Sequence, residues 1–537
     1  MIAYPPPLAP APEPRALTRR RVWSPGRLLP LAVVAAVLTA GLDSSSGGTH
    51  PDERLYLSLA NDMRQGGTWM TPTLDGLPDY TKPPLLYWAS AACLRVFGTH
   101  LWAARLPVAL CAFLLALCAG RLARRYGGEP AFTRAVLLVG TSLGLLRYGR
   151  LTMMDVPLAL AVALGVEAAC LAVEERRPKL FLLVGVAAGL SALLKGPVGP
   201  LLVFSIAGVL VAVRAPALLR TRWAVASAAV ALALGAPWFL AMVALHGTPF
   251  LARFILVENF GKFSVPWTFG AEAWLLLVLF LLALPWVFLV QWRGAPRTLQ
   301  LVSGVWLAAV LLVFSLPGLK QAHYVVPCLV PLLLLAAVPE RPHPVPARLT
   351  AALLLALALG ALLCLRVPLP LSARLGLLGV AVLLGAAAVA VFRLRPEAAA
   401  VGFGGASVLT LALVLPVFNP PPVPESAWAA ASERPVGIWR QDPGLYELLS
   451  GKQVRRVNDA AEAQAAVEAG GALVLPFQDF AALPPEVREG LEPVAHWERL
   501  RPRLSPSAVL QAVWSANPVP LQEEALLVVR AAPKRRP

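Results

Sequence analysis

Apolar residues run along most of this chain in blocks long enough to cross a membrane, and polar residues collect between the blocks. Read as helices, the blocks give spans at about 28–42, 101–120, 131–147, 154–173, 180–194, 198–213, 223–245, 272–292, 298–316, 322–338, 349–366, 374–392 and 400–418. The pattern predicts an all-α polytopic membrane protein with about thirteen transmembrane helices over 28–418, the first retained rather than cleaved as a signal peptide. Beyond this block the pattern changes. Pro420, Pro421 and Pro422 form a linker, Pro435–Trp439, Ala472–Pro476 and Ala525–Val529 read as strands, and Asp459–Glu468 and Ser505–Ala516 read as helices. Residues 419–537 are therefore expected to form a small α/β domain. Residues 1–27, rich in Pro, Ala and Arg, read as disordered.

Composition supports the same class. Of 537 residues, 58% are hydrophobic and 14% charged, and mean hydropathy is +0.67. A soluble protein is about 45–50% apolar and about 25% charged. The net charge of +17 comes largely from arginines beside the spans. The N-terminus carries Arg15, Arg19, Arg20, Arg21 and Arg27, and every second connection is basic: Arg121, Arg124, Arg125 and Arg134; Arg176, Arg177 and Lys179; Arg214, Arg220 and Arg222. Arg293 and Arg297, Arg341 and Arg348, and Arg393 and Arg395 continue the alternation. These loops read as cytoplasmic, and an odd number of spans puts the C-terminal domain on the opposite, trans side. The charge is thus explained by topology and anionic lipid, and nucleic acid is not an expected partner. The six cysteines lie in or beside apolar segments without metal-ligand spacing or a legible pairing.

The other set of connections holds the candidate chemistry. Loop 43–100 is the longest and 246–271 the next. Shorter turns hold Arg147, Arg150 and Asp155; Lys195; and Lys320, Gln321, His323 and Tyr324. Ionisable groups at span ends are costly unless paired, snorkelling or functional, so their gathering on one side predicts a site at the trans face. Within the first loop two amphipathic helices are expected, Pro51–Gln65 and Pro83–Phe97. Asp52 and Glu53 fall in the first turn of the first, which is ordinary helix-start chemistry. Either carboxylate can also serve as a general base or hold a divalent ion. Lys82 directly precedes the second helix, where a cation suits a bound phosphate or a snorkelling side chain. Lys195 and Lys320 admit the same two readings. Glu258, Asn259 and Lys262 sit in an aromatic loop with Phe250, Phe254, Phe260, Phe263 and Trp267.

The run Pro51-Asp52-Glu53, Gly67-Thr68-Trp69, Tyr80-Thr81-Lys82-Pro83-Pro84 and Tyr87-Trp88 resembles the first outer loop of GT-C glycosyltransferases. It is most similar to the branch of bacterial aminoarabinose (lipid A) transferases and protein O-mannosyltransferases. The resemblance continues at Met154-Asp155-Val156-Pro157, Leu194-Lys195-Gly196-Pro197, Pro237-Trp238, Val257-Glu258-Asn259 and Leu319-Lys320 to Tyr324 and Pro327, covering most of 45–335. It implies a GT-C-like fold in the bacterial inner membrane and a sugar carried on a polyprenyl monophosphate. The acceptor would be on the trans side: lipid A, another envelope glycan, or a protein. By this resemblance Asp52 is the principal catalytic acid, assisted by Glu53 and Asp155. Lys82, Lys195, Lys320 and Tyr324 would hold the donor phosphate, and Tyr56, Arg150 and Glu258 would contact substrate. The sequence departs from the aminoarabinose branch at Thr81, where an acid is usual, and at Asn259, where a histidine is usual. The cofactor is left open, a divalent ion being compatible with the loop acids. A transporter or lipid flippase would instead place ionisable groups in the middle of spans, yet between Leu158 and Ala169 the only one is Glu167.

Overall fold

The computed structural model describes residues 25–44, 50–74, 76–266, 270–367, 369–418, 421–431, 433–500 and 522–531, with isolated positions 511 and 515. The expected disorder before residue 25, the position of Trp267 and most of the expected helix Ser505–Ala516 lie outside the described residues.

Helix α1 (Pro25–Thr39) precedes the first long loop. In that loop α2 (Pro51–Gln65) forms where expected, with Pro51 at its first position and Asp52 and Glu53 favourable toward its N-terminal dipole. Gly66, with φ 126°, ends it. Two short strands, β1 (Thr73–Leu74) and β2 (Leu77–Pro78), pair antiparallel before α3 (Leu85–Phe97). The second loop helix thus begins at Leu85, later than the expected Pro83, with Pro84 as its cap.

The membrane block follows. Helix α4 runs Leu101–Gly140, reversing at Gly128 (φ 69°, ψ −161°) beside Pro130, and α5 spans Leu143–Tyr148. The expected span at 131–147 is therefore divided. Helix α6 (Asp155–Glu174), α7 (Phe181–Lys195), α8 (Val198–Arg214) and α9 (Arg222–Leu251) come next. Helix α9 breaks at Gly247 and continues as a π-helical segment, Ala252–Phe260. Helix α10 (Ala271–Leu282) stops short of the expected 272–292, because Pro285 cannot continue it, and only the turn Trp286–Leu289 follows. Helix α11 (Arg297–Ser315) leads to a 3₁₀ segment, Ala322–Cys328, and α12 (Leu329–Ala337). Helices α13 (Pro344–Cys364), α14 (Leu371–Phe392), α15 (Pro396–Leu409) and α16 (Leu415–Phe418) complete the block. Among the described residues, eight helical segments are long and apolar enough to cross a membrane, and shorter apolar helices accompany them.

Helix α6 is the central rod, Ala-rich and buried along nearly its whole length. Small residues let helices approach closely in lipid, where no hydrophobic effect draws them together. A Cβ on Gly185 of α7, for example, would sit 2.3 Å from the Ser227 carbonyl of α9. The twenty residues of α6 span about 30 Å, the thickness of a bilayer core. Its two ends differ. Asp155 starts it beside the first loop, while at its other end Glu174 accepts ion pairs from Arg125 and Arg214. These are called below the loop end and the arginine end.

The C-terminal region begins with α17 (Glu425–Ala431) and builds a five-stranded sheet. Strand β3 (Val436–Trp439), α18 (Gly444–Ser450), β4 (Val454–Val457), α19 (Ala460–Glu468) and β5 (Ala472–Pro476) are followed by α20 (Phe477–Ala481) and α21 (Pro485–Glu489). Strands β6 (Leu491–Leu500) and β7 (Gln522–Arg530) close the order β4-β3-β5-β7-β6. Strand β3 pairs parallel with β4 and β5, while β7 pairs antiparallel with β5 and β6. The three expected strands are present. Strand β4 has only its end residues buried, and β6 carries charged residues along its length, so neither shows a clear apolar run.

Helix α18 docks this region on α2. The Gly444 amide donates to Ser58 Oγ at 2.8 Å, and Asn61 Nδ2 donates to Glu447 Oε2 at 2.6 Å. The approach is so close that a Cβ on Gly444 would meet the Ser58 backbone nitrogen at 2.2 Å. Replacing Gly444 with Ala is expected to destabilise the protein by about 1–3 kcal/mol. The check is a lower thermal midpoint of the purified full chain.

Candidate active site

Helix α2 presents different faces to different neighbours, and this separates its two adjacent acids. Glu53 points into the protein and is fully buried, paired with Arg105 of α4, which is 2% exposed. Arg105 Nε and Nη2 donate to the carboxylate at 2.8 and 3.2 Å, and the Thr152 amide donates to it at 3.0 Å. Arg105 Nη1 also donates to the carbonyls of Leu42 and Ser44. Glu53 is thus fully engaged inside the protein. Asp52 faces the other way and is 41% exposed.

Around Asp52 lie groups from three other regions. His50 precedes α2 and its Nδ1 accepts from the Asp52 amide at 3.2 Å. His323, on the 3₁₀ segment after α11, has Nε2 3.9 Å from Asp52 Oδ2. Its ring meets those of His50, Tyr148 and Tyr324 edge-on, with centroids 5.7, 6.2 and 5.0 Å apart. Asp155, buried at the start of α6, forms a short ion pair with Lys195 at the end of α7. The Lys195 ammonium lies over the Tyr324 ring, 4.9 Å from its centroid, and Tyr324 stacks on Phe314 at 4.8 Å. Tyr56, buried on α2 against Tyr87, lies within electrostatic range of Asp52 and Asp155. Burial raises its phenol well above the usual range, with the acids adding to the effect. Burial also holds the His50 imidazole below its ordinary pKa, against the opposing pull of Asp52.

A second group surrounds Lys82. Its ammonium donates to Glu258 Oε2 at 3.0 Å and to the Thr81 carbonyl at 3.1 Å. Arg253 holds the other Glu258 oxygen at 3.0 Å. Lys262 feels the charges of Lys82, Lys195, Glu258 and Asp52, and burial first, then the neighbouring lysines, push its ammonium pKa down to about 8. The chain before Lys82 is pinned to α9. Trp238 Nε1 donates to the Met70 carbonyl at 2.9 Å, Thr71 Oγ1 lies 2.7 Å from His246 Nε2, and Tyr80 packs on His246 and Phe250. Asp79 accepts from Thr81 Oγ1 at 2.6 Å, and its burial raises the carboxyl pKa against that hydrogen bond.

The candidate residues therefore divide. Asp52, Asp155, Lys195, Tyr324 and Tyr56 come together, and Lys82 with Glu258 and Arg253 forms a second group. Glu53 faces Arg105 instead. The Arg150 guanidinium is turned to the Ala40 carbonyl below α1. The Lys320 ammonium donates to the Ser315 and Pro317 carbonyls at the end of α11, at 3.0 and 2.7 Å. Arg253, Arg105 and His50 were not expected at the site. A buried partner for a two-acid helix start was the only signal of Arg105, and it does not say which arginine. The positions where the resembled branch carries an acid and a histidine are occupied by locally bonded side chains: Thr81 donates to Asp79, and Asn259 Nδ2 donates to the Phe254 carbonyl at 2.6 Å. A hydroxyl and an amide are poor ligands for a transition metal, so these positions do not fit such a centre.

An apolar groove of about 450 Å³ begins next to this cluster. Leu85 and Leu86, just after Lys82, Pro157, just after Asp155, and Leu194, beside Lys195, line its loop end. It follows α6 and α7 past Leu160, Leu164 and Leu190 to Leu171, about 20 Å along the helix axis. Its arginine end is marked by the Arg121–Glu167 ion pair at 2.8 Å.

The chain is a polytopic helical block with charged groups at one end, amphipathic loop helices over them and a small C-terminal sheet. The chain shares its fold with ArnT from Cupriavidus metallidurans. The structure bound to undecaprenyl phosphate aligns with a TM-score of 0.65 at 19% identity, over 93% of this chain and 97% of that one. The apo structure gives the same TM-score at 20% identity. Residues 81–240 match the family model described as dolichyl-phosphate-mannose-protein mannosyltransferase. Among curated relatives, undecaprenyl phosphate-alpha-4-amino-4-deoxy-L-arabinose arabinosyl transferase 2 of Pseudomonas fluorescens Pf0-1 is 32% identical over 343 residues, 58% of this chain and 59% of the relative. The corresponding transferase of Pseudomonas aeruginosa UCBPP-PA14 is 31% identical over 346 residues, 59% of each chain. The chain spans somewhat over half the length of the curated relatives it matches. These findings support the resemblance to the aminoarabinose-transferase branch.

The Glu53–Arg105 pair is expected to carry stability rather than chemistry. Arg105→Met leaves a buried carboxylate unpaired and should cost about 3–5 kcal/mol, whereas Glu53→Leu with Arg105→Leu should recover most of the loss. Thermal midpoints of the single and double variants provide the check.

Proposed function

We propose that this protein is a membrane glycosyltransferase of the bacterial inner membrane. It moves a sugar from a polyprenyl-phosphate donor to a phosphate of lipid A or a related envelope glycolipid at the periplasmic face. The observation that carries the reading is the apolar groove lined by Leu85, Leu86, Pro157 and Leu194, residues that lie within four positions of Lys82, Asp155 and Lys195 in the chain. A lipid phosphate needs an anion site at the membrane surface continuous with an apolar channel for its tail, and this end of the molecule offers both. The donor named in the Pseudomonas relatives has that chemistry.

In this reading the acceptor oxygen attacks the anomeric carbon while the bond from that carbon to the lipid phosphate breaks. The electron pair leaves with the phosphate. Lys82 and Lys195 stabilise the charge that grows on the departing group, the kind of preorganised electrostatic effect that dominates many transfers. Glu258 holds Lys82 and Arg253 in place with a carboxylate where a phosphate would compete. Tyr324 positions the Lys195 ammonium from below, and Asp155 fixes its direction. Asp52 orients the acceptor. A phosphate acceptor is already anionic and gives up no proton, so it makes no demand for a base. Glu53 acts through α2 by holding Asp52 in register, as a positioning residue. Tyr56 walls the site, and Arg150 and Lys320 support the loops around it. The C-terminal sheet, docked on α2, covers the same end of the molecule from the trans side.

The test is mass spectrometry of polyprenyl-phosphate sugars and envelope glycolipids from cells lacking the gene and from complemented cells. A lipid-linked sugar should accumulate and one glycolipid should lose the matching substituent, with recovery on return of the natural sequence. Lys82→Ala should lower transfer by about 10²-fold or more. Asp52→Asn should have a smaller effect with a phosphate acceptor, but cost about 10²–10⁴-fold if the acceptor is a Ser or Thr hydroxyl, which needs a base. Unchanged pools in every strain would overturn the transferase reading.

A further inference from the structure

Of the three acids that start α2 and α6, Glu53 is matched by Arg105 and Asp155 by Lys195, whereas Asp52 has no Lys or Arg partner among the described residues. Two histidines face it instead. One ligand atom from each of His50, Asp52 and His323 lies within 4.8 Å of the other two. His323 is 5% exposed, and its 3.9 Å approach to Asp52 is too long for a hydrogen bond. Neither of its ring nitrogens has any other polar partner among the described residues. The imidazole nitrogens are therefore available to a ligand from outside the polypeptide.

We propose that His50, Asp52 and His323 bind a divalent transition-metal ion of the zinc class. Two imidazoles and a carboxylate suit such an ion, whereas magnesium and calcium prefer all-oxygen sets. A tetrahedral ion with bonds of about 2.0–2.1 Å holds its ligand atoms about 3.4 Å apart, close to the spacing already present between His323 and Asp52. Asp52 and His50 are both partly exposed and can close the remaining distance by side-chain rotation, against a His323 fixed by its aromatic neighbours. Ligation through His50 Nδ1 exchanges its 3.2 Å contact with the Asp52 amide for the ion. The surrounding charges are Asp155 and Lys195, which pair with each other, and the exposed Arg147 beside His50. The cation therefore balances the one acid of the three that lacks a basic partner. Three protein ligands leave a fourth position for an oxygen of an anionic substrate. That last role rests on the transferase reading, but the ion binding does not.

Cobalt(II) is the probe, added to the full chain purified in detergent with its affinity tag removed. The expected result is one equivalent bound with the visible absorption of a tetrahedral site, displaced by zinc. His323→Ala and His50→Ala should each weaken binding at least tenfold, and His100→Ala, on the surface away from the cluster, should not. His50 lies on a partly exposed cap and His323 in the core, so loss in both variants with an unchanged His50→Ala thermal midpoint rules out misfolding as the cause. Absence of stoichiometric cobalt in the natural protein, or its retention in both variants, overturns the site. Transfer that persists in a protein shown to bind no metal would overturn this site alone and leave the transferase reading standing.

Discussion

The Glu53–Arg105 ion pair is the joint on which the loop end depends. A single guanidinium in α4 binds the acid of α2 and the carbonyls of Leu42 and Ser44 that follow α1. The same carboxylate takes the Thr152 amide from the turn that leads into α6. Four segments are thereby fixed through two side chains that are almost wholly buried. The pair contributes less through its attraction than through the penalty of leaving either charge unmatched. Because Asp52 adjoins Glu53 on α2, and Asp155 lies three residues beyond Thr152, anchoring Glu53 sets where both other acids stand.

A second layer of order comes from the C-terminal region. Helix α18 closes on α2, where Gly444 permits backbone contact with Ser58. The Asn61–Glu447 bond continues the contact, and Glu447 also takes the Val454 amide of β4. Helix α2 is therefore clamped between α4 and the C-terminal region. The loop beyond it is pinned to α9 by Trp238, His246 and Tyr80. Charges that would be expensive beside lipid are held in this rigid frame as matched groups, and the apolar groove begins where they end.

Much of this was legible in the sequence. Hydropathy gave the membrane block, and Pro51 with its following acids gave α2 to the residue, since helix starts have local chemistry. Three strands of the C-terminal sheet stood out as apolar runs, but β4 and β6 did not. Span ends were harder to read. Pro285 truncates α10, and Gly247 breaks α9 within a stretch that stays largely apolar. At the site, the gathering of Asp155, Lys195 and Tyr324 with Asp52 follows from the position of the first three at span ends and of Asp52 in the long loop on the same side. The separation of Glu53 from Asp52 does not, because adjacent helical residues look alike in sequence yet point about 100° apart. Arg150 reaches the Ala40 carbonyl just after α1, a contact set by tertiary packing that no spacing encodes, whereas Lys320 folds back on the carbonyls of Ser315 and Pro317.

The central claim is that the lysines at the loop end receive a polyprenyl phosphate whose tail lies in the adjoining groove. Native mass spectrometry of the detergent-purified full chain with added undecaprenyl phosphate tests it most directly. The account predicts one bound lipid, weakened at least tenfold by Lys82→Ala and also by a bulky replacement in the groove such as Ala161→Trp. Binding that is absent, or that is equal in the natural protein and both variants, would contradict it.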